Sequence, residues 1–140
     1  MAAAAALLLG TAELALQDGP LRLPETFLVP FAAGGVLTVW LDGCLALWPR
    51  AAWESLADRL LALPLSVSDA RAFARLVFAS AVEFRSPAEV AIPATHRRPA
   101  DLDDRLVLVG AGAHAEIWSP DRWLEVSRRS LDELSLPIAV

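Results

Sequence analysis

Trp48-Pro49-Arg50-Ala51-Ala52-Trp53 and Trp118-Ser119-Pro120-Asp121-Arg122-Trp123 decide how this chain is read. Each is a tryptophan pair with a spacing of five, and the second pair stands 70 residues after the first. Upstream, Leu23-Pro24 and Ile92-Pro93 repeat with an offset of 69. Tryptophan pairs and proline marks in one register point to a duplicated unit of strands followed by a helix. A repeat of that length constrains the fold before any side-chain chemistry is weighed.

Outward from the first tryptophan pair, Val36 to Leu41 and Cys44 to Trp48 read as strands around an Asp42-Gly43 hairpin turn. Pro49 suits the first turn of a helix, where its missing N–H costs nothing. Trp53, Leu56, Leu60 and Leu63 continue at helical spacing until Pro64. Further upstream, Thr11 to Leu16 reads as a strand, Gln17-Asp18-Gly19-Pro20 as a turn, and Leu21-Arg22-Leu23 as the returning strand. Around the second pair, Leu106 to Val109 and Ala115 to Ile117 flank a Gly110-Ala111-Gly112 turn. Ser119 then caps a helix, with Pro120 at its first position, running to about Leu134. Ala81 to Phe84 and Val90-Ala91-Ile92 read as the hairpin before it, joined by the turn 85–89, and Thr95 to Arg98 as a short helical turn. Between the copies, Ser66 or Ser68 caps a connecting helix with an apolar face of Phe73, Leu76, Val77 and Ser80, and with Arg71 and Arg75 pointing away. The expected fold class is α+β, with repeats at 8–63 and 81–134 and a connector at 64–80.

The chain has 140 residues, 56% of them apolar, including five tryptophans and five phenylalanines. That is more apolar surface than a monomer of this size readily hides, so a homo-oligomer is expected. All 12 basic residues are arginine and the net charge is −5. A general basic excess of the kind that drives phosphate binding is therefore absent, and nucleic-acid binding would need a local arginine patch. Cys44 is the single cysteine, which excludes a disulfide framework or a cysteine-based zinc site within one chain and favours a reducing cytoplasm. The apolar start, Met1 to Leu9, is too short to span a bilayer and lacks the positive leading region of a signal peptide. No membrane role, cofactor, metal or small-molecule substrate is expected.

Leu41-Asp42-Gly43-Cys44-Leu45-Ala46-Leu47-Trp48-Pro49-Arg50-Ala51-Ala52-Trp53-Glu54 resembles the MraZ family, as do Ala79-Ser80-Ala81-Val82-Glu83, Leu106-Val107-Leu108-Val109-Gly110 and Glu116-Ile117-Trp118. Leu9-Gly10-Thr11-Ala12-Glu13-Leu14 looks like the start of that family, and the resemblance extends from about Leu8 to Leu134. It implies a duplicated AbrB-like swapped-hairpin β-barrel unit with flanking helices, two copies per chain. It further implies a ring-shaped homo-oligomer, cytoplasmic and nucleoid-associated. Members of the family regulate transcription by binding DNA repeats upstream of the division and cell-wall gene cluster.

The chain departs from the family where DNA contact is expected. The resemblance implies an Asp-x-x-x-Arg motif in each copy. In the first copy the Asp and Arg positions fall on Leu16 and Pro20; in the second they fall on Arg85 and Glu89, with the charges reversed. Asp18 and Arg22 carry the same spacing two residues further on, and a two-residue shift keeps a strand side chain on the same face. Arg22 then stands in for the missing arginine, or is an ordinary solvated strand residue. Arg85 and Glu89 read as a cross-turn ion pair, worth about 0–1 kcal/mol at a surface. His96-Arg97-Arg98 is the one dense basic cluster; it contacts phosphate or is neutralised by Asp101, Asp103 and Asp104. The candidate DNA-binding residues are thus Arg22, Arg97, Arg98 and Arg85.

Other chemistries lack support. Asp101, Asp103 and Asp104 have none of the further ligands, glycine or late glutamate of a calcium loop. Gly110-Ala111-Gly112 leads into a strand and is no dinucleotide fingerprint. No serine sits in a nucleophile elbow. Cys44, His96 and His114 could meet in space, but a lone strand cysteine is ordinarily a small apolar residue. The tryptophans, placed alike in both copies, read as core and interface packing. No enzymatic activity is expected. The competing expectation to a DNA-binding regulator is an oligomeric MraZ-derived protein that has lost DNA binding and acts through protein contacts.

Overall fold

Asp42 and Gly43 both adopt positive φ, 64° and 84°, the backbone that a tight hairpin turn between right-twisted strands demands. This turn appears in a computed structural model of the chain that describes residues 7–16, 19–129 and 131–135. Around it β2 (Gly35–Val39) and β3 (Leu45–Pro49) pair antiparallel, and β5 (Arg105–Gly110) and β6 (Ala115–Trp118) form the corresponding hairpin 70 residues later. With β1 (Thr11–Ala15) and β4 (Val82–Phe84) they make a six-stranded antiparallel sheet in the order β1-β5-β6-β3-β2-β4.

That order departs from the expected pairing of neighbours. β1 does not pair with a returning strand at Leu21–Leu23; it runs along β5, with Thr11 opposite Val109 and Ala15 opposite Arg105. β4 likewise leaves Val90–Ile92 and pairs with β2, placing Phe84 opposite Gly35. The two expected return strands shrink to one isolated bridge between Leu21 and Val90. Pro20, Pro24, Pro87 and Pro93 bracket these segments, and a proline offers no N–H to extend a ladder. The order reads the same from both ends if each strand is exchanged with the one about 70 residues away.

One sheet face presents Leu37, Leu45, Leu47, Leu106, Leu108 and Ile117 to a layer of irregular chain bearing Leu21, Leu23, Phe27, Phe31, Val90 and Ile92. The other face carries Ala46 and Trp48 beneath two helices, α1 (Arg50–Leu61) and α2 (Ser68–Ser80), which contribute Leu56, Leu60 and Val77. Beside them Cys44, Val107, Val109 and Trp118 pack against Trp123 of α4 (Pro120–Ser127). A short α3 (Ala94–Arg97) lies in the segment after Ile92.

The helix ends sort by capping chemistry. Ser119 caps α4 as its sequence suggests, its hydroxyl oxygen accepting from Arg122 N–H at 3.3 Å, with Pro120 following. Neither Ser66 nor Ser68 caps α2; Val67 occupies the cap position without a side-chain bond. Leu76, assigned to the apolar face of α2, is exposed, because Phe73 and Val77 already meet the sheet. The C-terminal helix ends at Ser127 rather than near Leu134, and among the described residues a 3-10 turn, Leu131–Glu133, follows. α4 buries no residue completely, so little packing holds further turns in place. Gln17 and Asp18, and with them the Asp half of the shifted motif, lie outside the described residues.

Candidate nucleic-acid interface

The candidate arginines rest on an extended segment (Arg22), a turn (Arg85) and the end of α3 (Arg97 and Arg98). Leu21 and Leu23 are buried in the core while Arg22 between them is exposed, the alternation of an extended segment with one wet face. Leu21 N–H donates to the Val90 carbonyl at 2.8 Å, and Val90 N–H donates back to the Leu21 carbonyl at 2.9 Å. Leu23 N–H then donates to the Pro87 carbonyl at 2.9 Å. Arg22 and Glu89 each stand next to this bridge and are exposed, and the Leu23–Pro87 bond shows that no regular ladder continues past it. Among the described residues no ion pair joins Arg22 to Glu89.

The turn from Arg85 to Glu89 is held by Ser86. Its hydroxyl oxygen accepts from Ala88 N–H at 3.2 Å, and its carbonyl accepts from Glu89 N–H at 3.1 Å. Ser86 is not among the candidate residues, yet a serine followed by proline is a recognisable turn former. The expected Arg85–Glu89 ion pair does not form: among the described residues, ion pairs join Arg50 to Glu83 at 3.6 Å and His114 to Glu116 at 3.1 Å. The Ser86–Pro87 turn carries Glu89 past Arg85 to the Leu21 segment. Arg22 and Glu89 thus flank the bridge between the two segments, and Arg85 stands at the start of the turn that leads to it.

Arg97 and Arg98 are elsewhere, at the end of α3, and no contact ties them to Arg22. The basic cluster is smaller than its sequence suggests. His96 is buried, with Nε2 2.7 Å from the Ser80 carbonyl, which can only accept a hydrogen bond. Half-buried Arg97 donates from Nε to the Ile92 carbonyl at 2.9 Å, and Arg98 is exposed. Neither arginine pairs with Asp101, Asp103 or Asp104 among the described residues.

The three reactive side chains do not converge on a catalytic arrangement. The Cys44 thiol donates to the Leu41 carbonyl at 3.3 Å, and burial, with the negative charges of Glu116 and Asp42, raises its pKa and keeps it a thiol. His114 instead stacks on Trp48 with ring centroids 4.4 Å apart and bonds to Glu116, whose other oxygen accepts from Trp118 Nε1 at 3.0 Å. Burial works to raise the Glu116 pKa, but the bonds from His114 and Trp118 and the His114 charge outweigh it and hold the carboxyl below its ordinary range. A lowered folded-state pKa adds stability above the unfolded value of about 4.3, and that stability is lost as pH falls through the folded value. Urea unfolding midpoints measured from pH 6 downward should therefore fall more steeply below pH ~4.5 for the native chain than for Glu116→Gln. Parallel profiles for the two would remove the network from any account of acid sensitivity.

These observations describe an α+β scaffold whose candidate arginines sit on an extended segment, a turn and the end of a short helix. Among the described residues no group of His, Cys, Asp and Glu side chains is placed to hold a metal ion, and no helix is long and apolar enough to cross a membrane. A family profile described as "MraZ protein, putative antitoxin-like" matches residues 7–76. The chain is 41% identical over 112 residues to the transcriptional regulator MraZ of Thermomicrobium roseum, covering 78% of this chain and 79% of that protein. It is 39% identical over 113 residues to that of Heliobacterium modesticaldum, covering 79% and 76%. For that of Limosilactobacillus reuteri the identity is 37% over 118 residues, covering 83% of each. The chain belongs to the MraZ family, whose named members here are transcriptional regulators and not enzymes.

Proposed function

We propose that this protein is a transcriptional regulator of the cytoplasm and nucleoid that binds DNA repeats upstream of the division and cell-wall gene cluster as a ring-shaped homo-oligomer. The chain acts as two AbrB-like swapped-hairpin repeats, 8–63 and 81–134, with 64–80 between them. The crosswise pairing of β1 with β5 and of β4 with β2 supports a swapped arrangement. The observation that supports the DNA reading is the Leu21–Val90 bridge, which joins the segment of exposed Arg22 to the segment that follows the turn of exposed Arg85. A single such feature binds weakly. Repeated around a ring, it meets several DNA repeats at once, and avidity supplies the affinity. Arg22 leads, Arg97 and Arg98 follow, and Arg85 contributes least because it stands at the Asp position of a motif whose charges are reversed.

Binding to DNA from upstream of the gene, followed by fluorescence anisotropy at two salt concentrations, tests this. Arg22→Ala should weaken binding and flatten the slope of log K against log salt by about 0.9 for each phosphate no longer neutralised. Undiminished binding by Arg22→Ala together with loss in an Arg97→Ala, Arg98→Ala variant would move the site to α3. A second reading has one observation in its favour: an exposed carboxylate, Glu89, stands beside the same bridge as Arg22, which suits an oligomeric protein acting through protein contacts. A folded oligomer that ignores its own upstream DNA would establish that reading.

A further inference from the structure

A cavity of about 800 Å³ opens on the helical side of the sheet, floored by Trp48, Ala52 and Leu56 and walled by Ala113 and His114. Its rim is apolar and wet: Leu7 is 64% exposed and Val29 77% exposed. The corresponding place in the second half is closed. There Arg122, 70 residues after Ala52, reaches from α4 across the gap, and its Nη1 donates to the carbonyls of Gly43 at 3.0 Å and Pro99 at 2.8 Å. Gly43 and Pro99 correspond, by the same offset, to Ala113 and Val29 on the open cavity. One residue difference, Ala52 against Arg122, thus leaves the first half unplugged.

We infer that this cavity receives the C-terminal turn of a second copy of the chain, with Leu131 as the inserted side chain; the inference rests on the oligomeric reading proposed above. Leu131 is 79% exposed on the 3-10 turn Leu131–Glu133, beside Asp132 and Glu133. The cavity supplies what that turn needs: an apolar floor for the leucine and, on its α1 side, Arg59 for its carboxylates, while Arg50 beside it is already paired with Glu83 at 3.6 Å. No carboxylate lines it. Arg59 is exposed and makes no ion pair among the described residues. Cavity and turn are different patches of one surface, so the contact is head-to-tail, and such a contact closes into a ring when its rotation permits.

Two variants test this by particle mass without DNA. Ala52→Arg fills the cavity as Arg122 fills its counterpart, and Leu131→Asp removes the inserted group from an exposed turn that the fold does not need. Each variant should fall from the native oligomer to a monomer in mass photometry. Mixed one to one, they should recover a dimer, because one still has its turn and the other its open cavity. Native mass retained by Leu131→Asp, two monomers that stay apart on mixing, or a monomeric native chain would each overturn the inference. The readout involves no DNA, so an assembled native ring that fails to bind DNA would defeat only the DNA reading.

Discussion

Gly34→Val should destabilise the fold by roughly 2–5 kcal/mol, the sum of a left-handed backbone imposed on a branched residue and an overpacked contact. Gly34 has φ +79°, and a Cβ built there would lie 2.3 Å from the Phe84 carbonyl oxygen and 3.0 Å from Arg85 Cα. Those are backbone atoms and cannot rotate aside. The residue stands just before β2 where β4 arrives from the other half of the chain, so relief of the clash must push β4 off its ladder. Gly112 provides the comparison: its φ is +89° with nothing within 4 Å of a Cβ. Gly112→Val should cost the backbone part alone. Urea denaturation of both variants measures the difference, and equal losses would show that the close approach at Gly34 carries no weight.

Glu89→Arg should tighten DNA binding on the order of tenfold at low salt and steepen its salt dependence, because each added phosphate contact contributes about 0.9 to the log–log slope. The substitution replaces the carboxylate beside the Leu21–Val90 bridge with a second guanidinium next to the same bridge as Arg22. In a ring the change recurs in every protomer, so small increments compound through avidity. Glu54→Arg on the exposed side of α1 makes the same change in net charge away from the bridge. Anisotropy titrations of the two separate local from general attraction. If both variants bind alike, the bridge has no special part in DNA contact.

What was legible in the sequence was local. Asp42-Gly43 announced its turn because few residue pairs tolerate two positive φ values. Ser119-Pro120 announced a helix start because a hydroxyl acceptor and a residue without N–H both suit it. The pairing of β1 with β5 was not legible: alternation in Thr11–Leu16 declares a strand but not its partner, and the partner lies some 90 residues away. Proximity in sequence therefore suggested hairpins at Leu21–Leu23 and Val90–Ile92 that the prolines prevent from extending. The same limit governed the site. Arg22 could be singled out from spacing, and Glu89 from a reversed motif, but that both stand beside one bridge depends on a pairing between two halves of the chain. His96 looked basic and available beside Arg97, and only its burial against Ser80 withdrew it.

The crosswise ladder also sets a timetable for synthesis. When β1 leaves the ribosome, its partner β5 begins some 90 residues later. At about 5–20 residues per second, that interval is roughly 5–18 s. β2 waits a shorter time for β4 and meanwhile has only β3 beside it. The first half of the chain must therefore persist with unpaired strand edges and an uncovered leucine face until the second half arrives to complete it. Neither half can finish folding first, and a nascent chain interrupted at the connecting helix would be a template for sticking to its neighbours on the same message.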